Sequence, residues 1–288
     1  CSVTLAVGFI LFYPILKGAM GGGEKTWAAT AALYASWVGG SGNMAAMQAS
    51  YGDLIDGGAY GCAMALDTVC YSVWIALLLL AVKFAPKWNK ATNADTSKLD
   101  AVAAAANAEV AKEQKRATSA DWVFLIGLAL IVSALSQKVG VAMNSGLSSI
   151  GLSMFDKGTC TTLFVTILGL VCATLTPLGK LPAVEELSTV LLYAVVASQA
   201  PLNALLESPM WVLYGVLILV VHVALMFLLS KIFRWDLCMV STASVANIGG
   251  SASAPIIACA YDDSFAGIGV IMGVLGAAIG NFFGLGMG

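Results

Sequence analysis

The chain has 288 residues, of which 59% are hydrophobic and 10% charged, with a mean hydropathy of +0.89. An ordinary soluble domain carries about 25% charged residues, so that class is excluded. A formal net charge of −2 without a basic patch interleaved with aromatics sets nucleic-acid binding aside.

Several apolar stretches of about 20 residues, each long enough to cross a hydrocarbon core of about 30 Å as a helix, predict an all-α polytopic membrane protein. The alternation that a barrel requires is not visible. In chain order, the first apolar run covers residues 2–19 and has no initiator Met or charged region before it, so it does not read as a signal peptide. An interrupted segment over residues 26–50 follows, containing "ASWVGGSGNMAAM" from Ala35 to Met47. A span over 57–84 carries Asp67 near its middle. Burying a carboxylate there costs roughly 3 kcal/mol on insertion scales, which points to an ion ligand or proton carrier.

The one long hydrophilic stretch comes next. With Lys83 it holds seven of the fourteen Lys and Arg residues, and the positive-inside rule places it in the cytoplasm. We therefore divide the chain into a first unit, residues 1–86, a cytoplasmic linker, residues 87–120, and a second unit, residues 121–288. A surface helix is expected over Leu99 to Lys115. Further spans are predicted at 121–139, 159–176, 182–204, 209–232 and 264–286, with a second interrupted segment at 236–260. Residues 140–157 are too polar to assign. Gln199 and Asn203 share one face of the 182–204 span, and His222, the only histidine, lies mid-span in 209–232. The seven cysteines lack zinc-site spacing and read as small buried hydrophobes.

Shifting the sequence by 210 residues lays Val38-Gly39-Gly40-Ser41 on Ile248-Gly249-Gly250-Ser251, then Tyr51 on Tyr261, Asp53 on Asp263 and Gly57 on Gly267. Repeated segments interrupted by glycine at matching positions point to the binding site of a secondary transporter. Asp67 falls on Ala277, so any coupling chemistry is asymmetric. If the copies are alike, roughly 90 residues, about three spans, are missing before Cys1. Five spans between the interrupted segments make the copies parallel, which suits the positive-inside rule by putting Lys180, Lys231 and Arg234 with the linker. A sixth crossing within 140–157 makes them inverted, as midplane sites usually require. Inversion is the expectation.

A break inside a membrane frees backbone groups that cost several kcal/mol each if they face lipid, so it marks an interior site. Gly39, Gly40, Ser41, Asn43, Asn247, Gly249, Gly250, Ser251, Ser253 and His222 are the expected substrate-binding residues. Asp67, Asn43, Asn247 and Ser251 are the expected ion ligands, with oxygens suited to Na⁺. No cofactor or further metal is expected.

"ASWVGGSGNMAAM", Asp67, "STASVANIGGSASAPIIACA" and "GVIMGVLGAAIGNFFGLGMG" resemble the YjcL-like family of bacterial membrane proteins, domain of unknown function 819, over nearly the whole chain. The family is more distantly similar to bile acid sodium symporters and cation:proton antiporters. That resemblance implies paired discontinuous helices crossing at the midplane, in a core domain that moves against a scaffold. Where the family often has Pro after the second glycine pair, this chain has Ser251, with Pro255 four positions on.

The expected function is an ion-coupled secondary transporter, with Na⁺ favoured over H⁺, carrying a small organic anion by elevator-type alternating access. The alternatives are a cation/proton antiporter and a membrane-embedded enzyme using Asp67 and His222. The chain is not expected to be an enzyme. The expected setting is a homodimer in the bilayer of the bacterial inner membrane.

Overall fold

The computed structural model describes residues 1–21, 23–97, 99–111, 118–149, 157–177 and 209–288. These residues are helical, with no strand among them. The first unit contains α1 (Ser2–Leu16), α2 (Thr26–Gly39), α3 (Ser41–Tyr51) and α4 (Gly57–Ala81). The linker region contributes α5 (Ala85–Thr92) and α6 (Leu99–Ala111). Beyond it come α7 (Ser119–Ser149), α8 (Lys157–Leu175), α9 (Pro209–Phe233), α10 (Leu237–Ile248), α11 (Ala254–Tyr261) and α12 (Ala266–Met287).

Among the described residues, four helical segments are long and apolar enough to cross a membrane: Gly57–Thr92, Ser119–Ser149, Pro209–Phe233 and Asp263–Met287. Their length and composition make this an integral membrane protein. Residues 140–149, too polar to assign from sequence, complete α7 rather than form an element of their own. α7 packs beside α8, where Gly140 meets Thr161. The predicted span 182–204, with Gln199 and Asn203, lies outside the described residues.

α2 and α3 are separated only by Gly40, whose backbone (φ 96°, ψ 168°) lies in a region open essentially to glycine alone. Two collinear helices of this length would hold Trp27 and Tyr51 about 36 Å apart. Instead their rings pack edge to face at 5.2 Å, and Lys25 Nζ donates to Asp53 O at 2.8 Å. The chain doubles back at Gly40. α10 and α11 do the same around Gly249 and Gly250 (φ 71°): the Ser241 and Tyr261 hydroxyls, near the open ends of the two arms, are hydrogen-bonded at 3.0 Å. The expectation of helices crossing at their breaks is therefore corrected. Each interrupted segment is a helical hairpin with glycines at its tip.

α12 relates the two hairpins. Its first residues meet the open end of the second hairpin, where Phe265 and Ile268 cluster with Cys238 and Ala258. Its last turn meets the open end of the first, where Tyr51 donates to Gly284 O at 3.2 Å. The hairpins thus enter from opposite ends of α12, and their tips touch between those ends. A Cβ on either Gly40 or Gly250 would come within 3.4 Å of the other's Cα.

One face of α12 carries Gly269, Gly273, Gly276, Gly280 and Gly284, all buried. Gly269 and Gly273 lie against Ala254 and Ser251 of the second hairpin, while Gly280 and Gly284 lie against Asn43 and Ala35 of the first. Gly276 touches both, with Val38 O and Ala246 O beside it.

The linker region is docked rather than free. Asn89 Oδ1 accepts from Leu237 N at 2.9 Å, and Asp95 N donates to Arg234 O at 3.0 Å. α6 buries Ala103 and Ala106 against the second hairpin and the start of α12, and Asn107 Oδ1 accepts from Gly267 N at 2.9 Å. Asp56 caps α4 by accepting from Ala59 N at 2.7 Å, and Asp236 caps α10 through Met239 N at 3.0 Å.

Candidate functional site

α4 runs past both tips. Asp67, ten residues into it, is buried, and its carboxylate accepts three hydrogen bonds from the first hairpin. Ser36 Oγ donates to Oδ2 at 2.9 Å and Ser41 Oγ to the same oxygen at 3.2 Å. Trp37 Nε1 donates to Oδ1 at 2.9 Å. Ser36 and Trp37 belong to the last turn of α2 and Ser41 to the first of α3, so one carboxylate joins both arms across the tip. All three donors are neutral, and buried carboxylates without a counter-charge persist only where such hydrogen bonds compensate their lost hydration.

The second hairpin is held by the next two turns of the same α4 face. Ser253 Oγ is hydrogen-bonded to the Tyr71 hydroxyl at 2.8 Å, and Gly249 packs beneath the Tyr71 ring. Trp74 Nε1 donates to Ser244 Oγ at 3.0 Å. Asp67, Tyr71 and Trp74 are spaced four and three residues apart, on one helical face.

His222 belongs to a different network. Its Nδ1 is 2.8 Å from Thr4 Oγ1 and its Nε2 2.9 Å from Ser244 Oγ. Thr4 Oγ1 already donates its only proton to Cys1 O, at 2.6 Å, so His222 Nδ1–H must donate to Thr4. Ser244 Oγ takes the Trp74 N–H and donates its own proton to Nε2. Every proton in the chain Trp74, Ser244, His222, Thr4, Cys1 then has an acceptor, with a neutral imidazole. Asp67 and His222 share no partner, so the structure does not assemble them as an acid/base pair.

Gly39, Gly40, Ser41 and Asn43 lie together at the first tip, and Asn247, Gly249, Gly250, Ser251 and Ser253 at the second. The tips meet, yet no hydrogen bond joins Asp67 to Asn43, Asn247 or Ser251. Asn247 Nδ2 instead donates to Ser2 Oγ at 3.0 Å. Asn43 lies over Gly39 and Gly280, and its Nδ2 is a buried donor with no partner among the described residues. Sequence reasoning missed Ser36, Trp37, Tyr71 and Trp74. The available signal was depth: donors within a turn of Gly39 sit level with a carboxylate ten residues into the next span.

The family match covers the whole of this assembly. Residues 1–288 match the family described as protein of unknown function (DUF819). The chain belongs to that family. No curated protein and no solved structure matches it. In this DUF819 protein, the tip contact, the Asp67 carboxylate and the unpartnered Asn43 amide are the features with chemistry still to be assigned.

Proposed function

We propose that this DUF819 protein is a cation-coupled secondary transporter of a small organic anion. The observation that carries the reading is the meeting of two glycine tips, at mid-height of α12, beside a buried carboxylate. In a bilayer that level is the hydrocarbon midplane, where unwound backbone is tolerated only against protein, water or ligand. The N-terminal ends of α3 and α11 converge there, which suits an anionic substrate group. The Asn43 amide adds a buried donor that a bound carboxylate would satisfy.

On this reading the hairpins are re-entrant, and they belong to two inverted structural repeats. At the 210-residue offset α2, α3 and α4 correspond to α10, α11 and α12, entering from opposite sides. Lys83, Lys87, Lys90, Lys231 and Arg234 gather at the end that carries α5, which makes that end cytoplasmic. A cleft of about 380 Å³ opens there between α6, α9 and α10, lined by Arg234 and Trp235 together with Asp95 and Asp236.

Asp67 is the coupling group. Its shell contains two hydroxyls on one carboxylate oxygen, and hydroxyl rotation converts these donors into oxygen ligands for Na⁺. The test is uptake into proteoliposomes. An imposed Na⁺ gradient should accumulate an unmodified organic anion, and Asp67→Asn should abolish the Na⁺ dependence. Uptake in Asp67→Asn with a full Na⁺ response sinks the ion assignment. Accumulation driven only by a pH gradient replaces Na⁺ with H⁺, and exchange of cations without solute favours an antiporter.

A further inference from the structure

A second cleft, of about 300 Å³, runs between α4–α5 and α9–α10. It begins at Trp74, Ser244 and His222, level with the second hairpin, and ends at Phe84 and Trp88. Between Trp74 and Phe84 it follows about 15 Å of helix, half of a hydrocarbon core about 30 Å thick, and so spans one leaflet. Leu77, Val223 and Phe84 on its rim are exposed, and in a bilayer that rim faces lipid. The polar atoms at its inner end are already spent on one another. Such a slot fits a hydrocarbon chain and rejects a polar solute.

Its outer end is built differently. Trp88 packs edge to face on Phe227 at 5.0 Å, and its Nε1 is a buried donor with no partner among the described residues. Lys87 Nζ sits 5.8 Å from the Phe84 ring centre and Lys231 Nζ 5.5 Å from that of Phe227. Neither ammonium has a carboxylate partner among the described residues. Asp236, at the start of α10, is turned onto Met239 N as a helix cap. At this end of an apolar slot one leaflet long, Lys87 thus lies over the lining residue Phe84, and Lys231 over Phe227, the ring against which the lining residue Trp88 packs.

We propose that this cleft binds one acyl chain of an anionic phospholipid, with its phosphate between Lys87 and Lys231 and an ester oxygen accepting from Trp88 Nε1. Hydrocarbon alone would leave the indole unsatisfied, and a zwitterionic headgroup would gain less from two lysines. Because α10 forms one wall, the lipid braces the second hairpin against α4. The site does not depend on the protein being a transporter.

The test uses the chain in phosphatidylcholine vesicles containing a small fraction of phosphatidylglycerol or phosphatidylcholine with dibrominated chains, which quench nearby tryptophan fluorescence. The part of the signal lost in Trp88→Phe reports on the cleft. Brominated phosphatidylglycerol should half-quench that part at a mole fraction lower on the order of tenfold than brominated phosphatidylcholine. The double variant Lys87→Gln/Lys231→Gln should close the gap. Equal quenching by the two lipids, or a gap that survives the double variant, overturns the proposal. So does a Trp88 signal that neither lipid quenches, because a protein segment then fills the cleft. Native mass spectrometry gives a second readout without Trp88→Phe: phosphatidylglycerol adducts retained by the unmodified chain should be lost in the double variant.

Discussion

α4 and α12 occupy corresponding places, one after each hairpin, and they grip the hairpins by opposite means. α4 presents side chains: Asp67 to the first tip, Tyr71 and Trp74 to the second hairpin. α12 presents their absence, five buried glycines that let helix backbones touch. At the 210-residue offset Trp74 falls on Gly284, but Asp67 falls on Ala277 and Tyr71 on Asn281, so the hydrogen-bonding residues of α4 are not simply replaced by the glycine row of α12. α4 thus holds the hairpins by hydrogen bonds and α12 by close backbone contact. Hydrogen bonds to a carboxylate can be exchanged for a proton or a cation, whereas a glycine contact has nothing to exchange.

Gly276→Ala should have the largest effect. A Cβ there would come within 2.8 Å of Val38 O and 3.3 Å of Ala246 O, one backbone atom from each hairpin. Neither can yield without moving a tip, and overpacking of this kind costs about 1–3 kcal/mol. Helix propensity alone predicts a gain of about 1 kcal/mol from the same change. A fall in the thermal unfolding temperature in detergent is expected, and a rise would show that the tips do not rest on Gly276.

Asp67→Ala against Asp67→Asn asks whether α4 holds by charge or by hydrogen bonds. Alanine orphans Trp37 Nε1, which can only donate, while Ser36 and Ser41 can turn elsewhere. A buried orphan donor costs about 1–3 kcal/mol. Asparagine keeps an acceptor for Trp37 and should leave stability nearly unchanged, even though the charge is gone. Equal destabilisation by both variants would make charge the holding force.

Much of this architecture was legible in the sequence. Both glycine breaks, the depth of Asp67 and the spans over 57–84, 209–232 and 264–286 follow from apolar runs and one offset. The fold-back was not. Arms of 14 and 11 residues add up to the length of a crossing helix, so length fits either topology, and the choice rests on the torsion angles of Gly40. The pairing of Trp27 with Tyr51 decides it, and sequence shows both aromatics without showing that they meet. Ser36 and Trp37 were hidden for another reason: a serine and a tryptophan in an apolar run look like packing until a carboxylate is placed beside them.

The His222 network extends the comparison, since Trp74 of α4 reaches α1 and α9 through it. Thr4→Val removes the acceptor of His222 Nδ1–H and should cost about 1–3 kcal/mol. Thr4→Ser keeps the hydroxyl and should cost little. Equal loss in both variants would mean that the methyl group matters and that the proton assignment is wrong.

A glycine in open space separates glycine as a spacer from glycine as a flexible residue. Gly127 lies inside α7, and a Cβ there meets nothing within 4 Å. Gly127→Ala keeps the helix, adds no contact and removes conformational freedom from the unfolded chain, so it should stabilise by up to about 1 kcal/mol. If Gly127→Ala stabilises while Gly276→Ala destabilises, the α12 glycines act through the contact they permit. If both stabilise, the row of glycines on α12 is not what seats the hairpins, and the grip must come from α4 alone.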